Sequence, residues 1–244
     1  MTPLPQRVRE VLHRLEREGS ARAREDMLTR YGIVAPKSYG VPMGAIQRLA
    51  KTLGKHHELA AALWATGWYE ARLLAAYVDE PERVTAAQMD RWARDFDNWG
   101  VCDTLCFCLF DRTPHAWRKV SQWSGRGDEF VKRAAFALLA SLALHDRQTG
   151  DAPFLETLPL IERAAADERN FVKKGVSWAL RSIGRRSPAL HAASVELAHR
   201  LAASEQPAER WVGKDVLRDL TKGRKDGKTE GRKGTGGRKD GALS

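Results

Sequence analysis

The chain has 244 residues, enough for one large domain or two small ones around a buried core. Lysines and arginines number 41 against 31 acidic residues, a formal net charge of +10, and a composition 43% hydrophobic and 30% charged excludes a fibrous or wholly disordered protein. The longest apolar run, Ala134 to Leu144, falls far short of the roughly 18 residues of a membrane span, and Met1-Thr2-Pro3-Leu4-Pro5 does not open a secretory signal.

Residues 1–220 read as helix after helix. Val8, Val11, Leu12 and Leu15 form a first apolar stripe at helical spacing. Ile46, Leu49, Ala50 and Leu53 form a second, opened by Pro42 at a first-turn position and closed by Gly54. Leu59 to Thr66 and Tyr69 to Val78 follow. Asn98 and Gly100 then mark a helix beginning at Trp99, which puts Asp103 one turn later on the same face. Pro114 to Trp123, Phe154 to Ala166 and Pro188 to Ala203 are further helical segments. No run of alternating β-branched residues argues for a sheet.

The later helices repeat. Phe130-Val131-Lys132-Arg133-Ala134-Ala135 returns 41 residues on as Phe171-Val172-Lys173-Lys174-Gly175-Val176, and a fainter copy begins at Trp211-Val212-Gly213-Lys214 another 40 along. A period of about 40 residues is the mark of a HEAT-type array, in which helix pairs stack into a curved solenoid with a concave inner surface. The helix at Phe130 is apolar nearly all round, as an inner helix covered on several sides should be. Arg133, Lys174 and Lys214 occupy equivalent repeat positions, so stacking would line them along one groove near helix N-termini, a surface suited to phosphates. The plainer reading makes them ordinary solvated cations at helix starts.

Eight tryptophans are present, most of them expected in the core. Trp99 and Trp178 stand apart: one shares a face with Asp103, the other interrupts a row of small residues on an inner helix. A carboxylate beside an indole can cradle a cation or a positively charged transition state. The plainer reading makes Asp103 a helix-start charge and Trp99 a core residue. Cys102, Cys106 and Cys108 lie on one segment without a C-x-x-C pair, which argues for a reducing, cytoplasmic setting and against a disulfide scaffold or a structural zinc. No cofactor or metal is called for. From Thr221 to Ser244 eight basic residues against three acidic ones carry half the net charge, with Gly-Arg-Lys at Gly223, Gly231 and Gly237. Residues 221–244 are expected to be a disordered basic tail, a phosphate-attracting arm or a solubilising one.

Taken together, Asp97-Asn98-Trp99-x-x-x-Asp103, the Phe130 helix start, Phe171-Val172-Lys173-Lys174-x-x-x-Trp178-x-Leu180-Arg181 and the Tyr39-Gly40-Val41-Pro42 turn resemble the AlkD family of bacterial DNA alkylation-repair glycosylases, over about residues 5–220. The resemblance implies an all-α HEAT-like (ARM-type) superhelix with a concave basic face. It would grip double-stranded DNA there as a monomer, away from any membrane, and hydrolyse the N-glycosidic bond of cationic alkylpurines such as 7-methylguanine and 3-methyladenine. It also implies that Trp99 and Trp178 contact the deoxyribose of the lesion, that Asp103 is the catalytic carboxylate, that Arg133 contacts the DNA backbone, and that the lesion stays stacked. Gly100 departs from the family pattern, which carries an acidic residue there. The alternative from another class is a non-catalytic HEAT-like module that binds DNA structure or a protein partner.

Overall fold

Residues 3–222 are described in a computed structural model of the chain. Within them lie thirteen α-helices and two short 3-10 turns, with no strand. Helices α1 (Leu4–Glu18), α2 (Ala21–Thr29), α3 (Met43–Leu53) and α4 (His57–Ala65) precede α5 (Tyr69–Val78), α6 (Ala86–Arg94) and α7 (Trp99–Cys108). The second half holds α8 (Ala116–Ser124), α9 (Glu129–His145), α10 (Asp151–Ala164), α11 (Asn170–Ile183), α12 (Pro188–Ala202) and α13 (Pro207–Lys222). No helix among the described residues is long and apolar enough to cross a membrane. The basic tail expected over residues 221–244 falls almost wholly outside the described residues.

Local chemistry sets the boundaries. Gly54 closes α3 with φ of 68°, the left-handed region that glycine enters without a Cβ clash. The α7 start read from Asn98 is present: its side chain accepts the Val101 N–H at 3.0 Å. Tyr69–Val78 matches its sequence expectation end to end. The third repeat copy, expected to begin at Trp211, instead sits inside a helix that starts four residues earlier, because Pro207 fits a first-turn position where no N–H is needed.

Helices α5, α7, α9, α11 and α13 form an inner row, each packed on the next, with α4, α8, α10 and α12 behind them. The centre of that row is α9, which buries Val131 and every residue from Arg133 to Ala143. Its alanines at 134, 135, 137, 140 and 143 bring α7 and α11 close, while Phe136, Leu138, Leu139 and Leu142 fill the space between, each contributing about 1.5–3 kcal/mol. Thiols follow the same contact: Cys102 and Cys106 of α7 point at the Phe130 and Ala134 carbonyls of α9.

A polar knot ties the start of α9 to the α10–α11 turn. Asp167, with 9% of its side chain exposed, accepts from Lys132 Nζ at 2.9 Å and from Arg169 Nε at 2.9 Å and Nη2 at 2.6 Å. The Arg169 hydrogen bonds, and then those of Lys132, hold its carboxyl well below the ordinary aspartate range. A depressed folded-state pKa means stability that is present above the unfolded value and lost as pH falls. Asp167→Asn should therefore lower unfolding free energy by about 1–3 kcal/mol at pH 7. The gap to the native chain should begin to narrow below about pH 4. Urea unfolding at pH 7 and pH 3 checks this; an unchanged gap at pH 3 would mean that ion pairing is not the cause.

Candidate active site

The site begins with α7. Trp99, Asp103 and Phe107 recur every four residues and so lie along one face, all three half-buried, while Val101, Cys102, Leu105 and Cys106 turn into the core. Trp99 is not sealed in the core. Its Nε1–H donates to the Tyr31 carbonyl at 2.9 Å, a contact spanning 68 residues of sequence.

That contact depends on how the segment between α2 and α3 is held. The buried Glu70 carboxylate at the start of α5 accepts the Ser38 hydroxyl at 2.6 Å and the N–H groups of Tyr39 at 3.1 Å, Gly40 at 2.8 Å and Val41 at 3.3 Å. Tyr39 stacks on Trp68 with ring centroids 3.9 Å apart, and Gly40 adopts φ of 73°, where a Cβ would also strike the Ser20 carbonyl at 2.4 Å. The Tyr39-Gly40-Val41-Pro42 turn is thus a backbone clamp around one carboxylate. Gly100 is equally constrained: a Cβ there would meet the Tyr69 hydroxyl at 2.6 Å. Asn98 Oδ1 and Ile33 Cδ1 would each lie 3.2 Å from that Cβ, so an acidic side chain would be crowded in this conformation.

Arg133 rises from α9 with only 8% of its side chain exposed. Its Nε–H donates to Asp103 Oδ1 at 2.8 Å and its Nη2–H to Oδ2 at 2.6 Å, while Nη1–H reaches the Phe171 carbonyl of α11 at 2.7 Å. One guanidinium therefore links three inner helices and fixes the plane of the carboxylate through two parallel hydrogen bonds. Burial pushes the Asp103 carboxyl above the ordinary aspartate range, with the Arg133 guanidinium pulling against it. All three guanidinium nitrogens of the residue expected to contact the DNA backbone thus donate to protein acceptors.

Trp178, on α11, is half-buried and faces Phe107, ring centroids 6.2 Å apart and 21° from parallel. Since Phe107 is one turn from Asp103, the second indole borders the same stretch of α7 as the first, from the other end. Lys174 and Lys214 are exposed and have no carboxylate partner within ion-pair distance among the described residues. They are free cations, unlike Arg133, so repeat equivalence does not carry equivalent environments. Phe107 was missed in the sequence; its only signal was the four-residue spacing from Asp103.

The arrangement offers one oriented carboxylate and two partly open indoles, with exposed, unpaired lysines on α11 and α13 of the same inner row. A model of the family described as DNA alkylation repair enzyme matches residues 11–220. A solved structure described as "a new family of proteins related to the HEAT-like repeat DNA glycosylases with affinity for branched DNA structures" superposes with a TM-score of 0.71. It is 21% identical, over 87% of this chain and 95% of that one, which makes the fold a HEAT-like helical repeat. A designed armadillo repeat protein gives a TM-score of 0.32 at 14% identity, over 89% of this chain and all of the other. No curated protein matches.

Proposed function

We propose that this chain, which belongs to the DNA alkylation repair enzyme family, is a DNA glycosylase that releases cationic alkylpurines such as 7-methylguanine and 3-methyladenine from duplex DNA. The observation that carries the reading is the Asp103 carboxylate, held at both oxygens by the buried Arg133 one turn from Trp99. Ordinary glycosidases need an acid to protonate the leaving group as well as a second carboxylate. A purine alkylated at N7 or N3 already carries positive charge and leaves neutral, so an acid is dispensable. What the reaction requires is negative charge facing the sugar as it becomes oxocarbenium-like, and a group to orient water. Asp103 supplies both from a fixed position. Indole faces at Trp99 and Trp178 add attraction for the same developing charge. Lys174 and Lys214 are suited to phosphates along the duplex, and each contact would steepen the salt dependence of binding.

The test is release of 7-methylguanine from alkylated duplex by the full chain, followed by chromatography of the free base. Release above the spontaneous rate supports the enzyme; its absence with intact duplex binding removes it. Trp178→Ala should slow release about tenfold, the size of a partly desolvated cation–π contact, while weakening duplex binding no more than about twofold. A loss of binding equal to the loss of rate would assign the indole to docking alone.

A second reading has a specific observation behind it. Arg133 closes on Asp103 so that the pair is electrically near neutral, and the solved structure of the same fold is described by its affinity for branched DNA structures. A binder of DNA structure without chemistry would fit both. Base release separates the two readings directly.

A further inference from the structure

Past Trp178, on the side away from Trp99, the inner row opens into a cavity of about 550 Å³ between α7, α9 and α11. Its floor is made small by Ala140 and Ser182, its wall is the aromatic pair Phe107 and Trp178, and its rim carries Arg147 and Arg185. The volume lies within the range of sites for small organic ligands. Its chemistry is specific in combination: flat aromatic faces and guanidinium groups line one space. Arg147 is exposed, with no carboxylate within ion-pair distance among the described residues. Arg185 touches Asp219 at 2.6 Å yet keeps 63% of its side chain exposed.

The wall is built rather than incidental. The His145 ring meets Phe107 edge-on, centroids 4.4 Å apart. His145 is itself anchored through Nδ1, 2.5 Å from Oδ2 of Asp111, a carboxylate with no exposure that also accepts the Ser141 hydroxyl at 2.7 Å. A buried acid thus fixes a histidine, the histidine fixes Phe107, and Phe107 faces Trp178. Such an aromatic surface is organised before any ligand arrives, which lowers the ordering entropy of binding.

We propose that this cavity is a subsite for one unpaired nucleotide of a DNA strand, its base stacked against Phe107 and Trp178 and its phosphate met by Arg147 and Arg185. The assignment rests on the reading that the inner row faces DNA. It adds a recognition element that a fully paired, fully stacked duplex would leave empty. Base–aromatic stacking tolerates any base, so a preference for an unpaired nucleotide rather than for a sequence is expected.

Fluorescence anisotropy of the full chain tests this with two labelled duplexes, one fully paired and one carrying a single unpaired nucleotide. The native chain should bind the second about tenfold more tightly, the scale of one base stacked on an aromatic ring. Phe107→Ala should remove that preference by deleting the wall. Ser182→Phe should remove it by filling the floor, with affinity for the paired duplex unchanged. Equal binding of the two duplexes by the native chain, or a preference that survives in either variant, would overturn the subsite. Release of 7-methylguanine from fully paired DNA reads the catalytic role separately. Loss of release with the preference kept condemns the glycosylase reading alone, and release without a preference condemns the subsite alone.

Discussion

Asp103→Asn should lower release of 7-methylguanine by about 100- to 1,000-fold, while affinity for the same duplex should stay within about twofold. The magnitude is that of removing one preorganised electrostatic group from a site where charge develops only in the transition state. Binding should be spared, since on the proposed reading phosphate and stacking contacts that the substitution does not touch would hold the ground-state lesion. A variant that loses kcat with unchanged affinity has lost an interaction made only in the transition state. The isosteric amide also disturbs the ion pair. Its oxygen can accept from one nitrogen of Arg133, but its NH₂ then meets the other donor, so one of the two hydrogen bonds at 2.8 and 2.6 Å is lost. Arg133 is left buried opposite a neutral group, with a stability cost of about 1–3 kcal/mol. Melting temperature should fall by several degrees, so assays belong at 25 °C, where the variant stays folded. The native rate carries its own signature. Release requires the carboxylate, so it should fall as pH drops, with a midpoint above the ordinary aspartate value of about 3.9 because burial raises this group. Unchanged release by Asp103→Asn would end the assignment of this residue.

How much of this was legible in the sequence follows the range of the interactions involved. Helix ends were readable where one residue decides them, as at Asn98 and Gly54, and α5 emerged with both its ends in place. The inner row was readable because the Phe130 and Phe171 segments repeat and α9 must be covered on every side. What failed to show was long-range pairing. α2 buries no residue and was not anticipated, since it has no apolar stripe to announce it. Glu70 sits in an apolar helix with no local hint that it will gather Ser38 and three backbone N–H groups some thirty residues upstream. Trp99 gave no sign of its bond to the Tyr31 carbonyl. Arg133 is the instructive case. Repeat equivalence with Lys174 and Lys214 suggested a cation lining the groove, and a lone arginine in a helix apolar on every side also needs a buried acceptor. The neighbouring inner helix offered Asp103, and that demand for a partner was the available clue.

Arg133→Ala is the change with the largest expected effect on the molecule as a whole. It strands the Asp103 carboxylate among α7, α9 and α11 without a counter-charge and leaves the Phe171 carbonyl without its donor. Breaking a buried pair from one side costs about 3–5 kcal/mol, which for a domain of this size corresponds to a fall in melting temperature on the order of 10 °C. Stability alone would not separate positioning from scaffolding, so the pH profile carries the decision. In the native chain burial raises the Asp103 carboxyl and Arg133 opposes it. Without the guanidinium the opposition vanishes, the carboxyl rises further, and the acid limb of base release must move to higher pH. Arg133→Lys keeps a positive charge but not the planar fork, so it cannot hold both carboxylate oxygens and the Phe171 carbonyl together. It should fold better than the alanine variant, show a smaller displacement of the acid limb, and still release base about tenfold more slowly than the native chain because the carboxylate is no longer fixed in plane. If both variants lose rate with the acid limb unmoved, Arg133 supports the helix stack and does not position the carboxylate. A limb that moves far in the alanine variant and less in the lysine variant identifies a residue that acts on the reaction through Asp103.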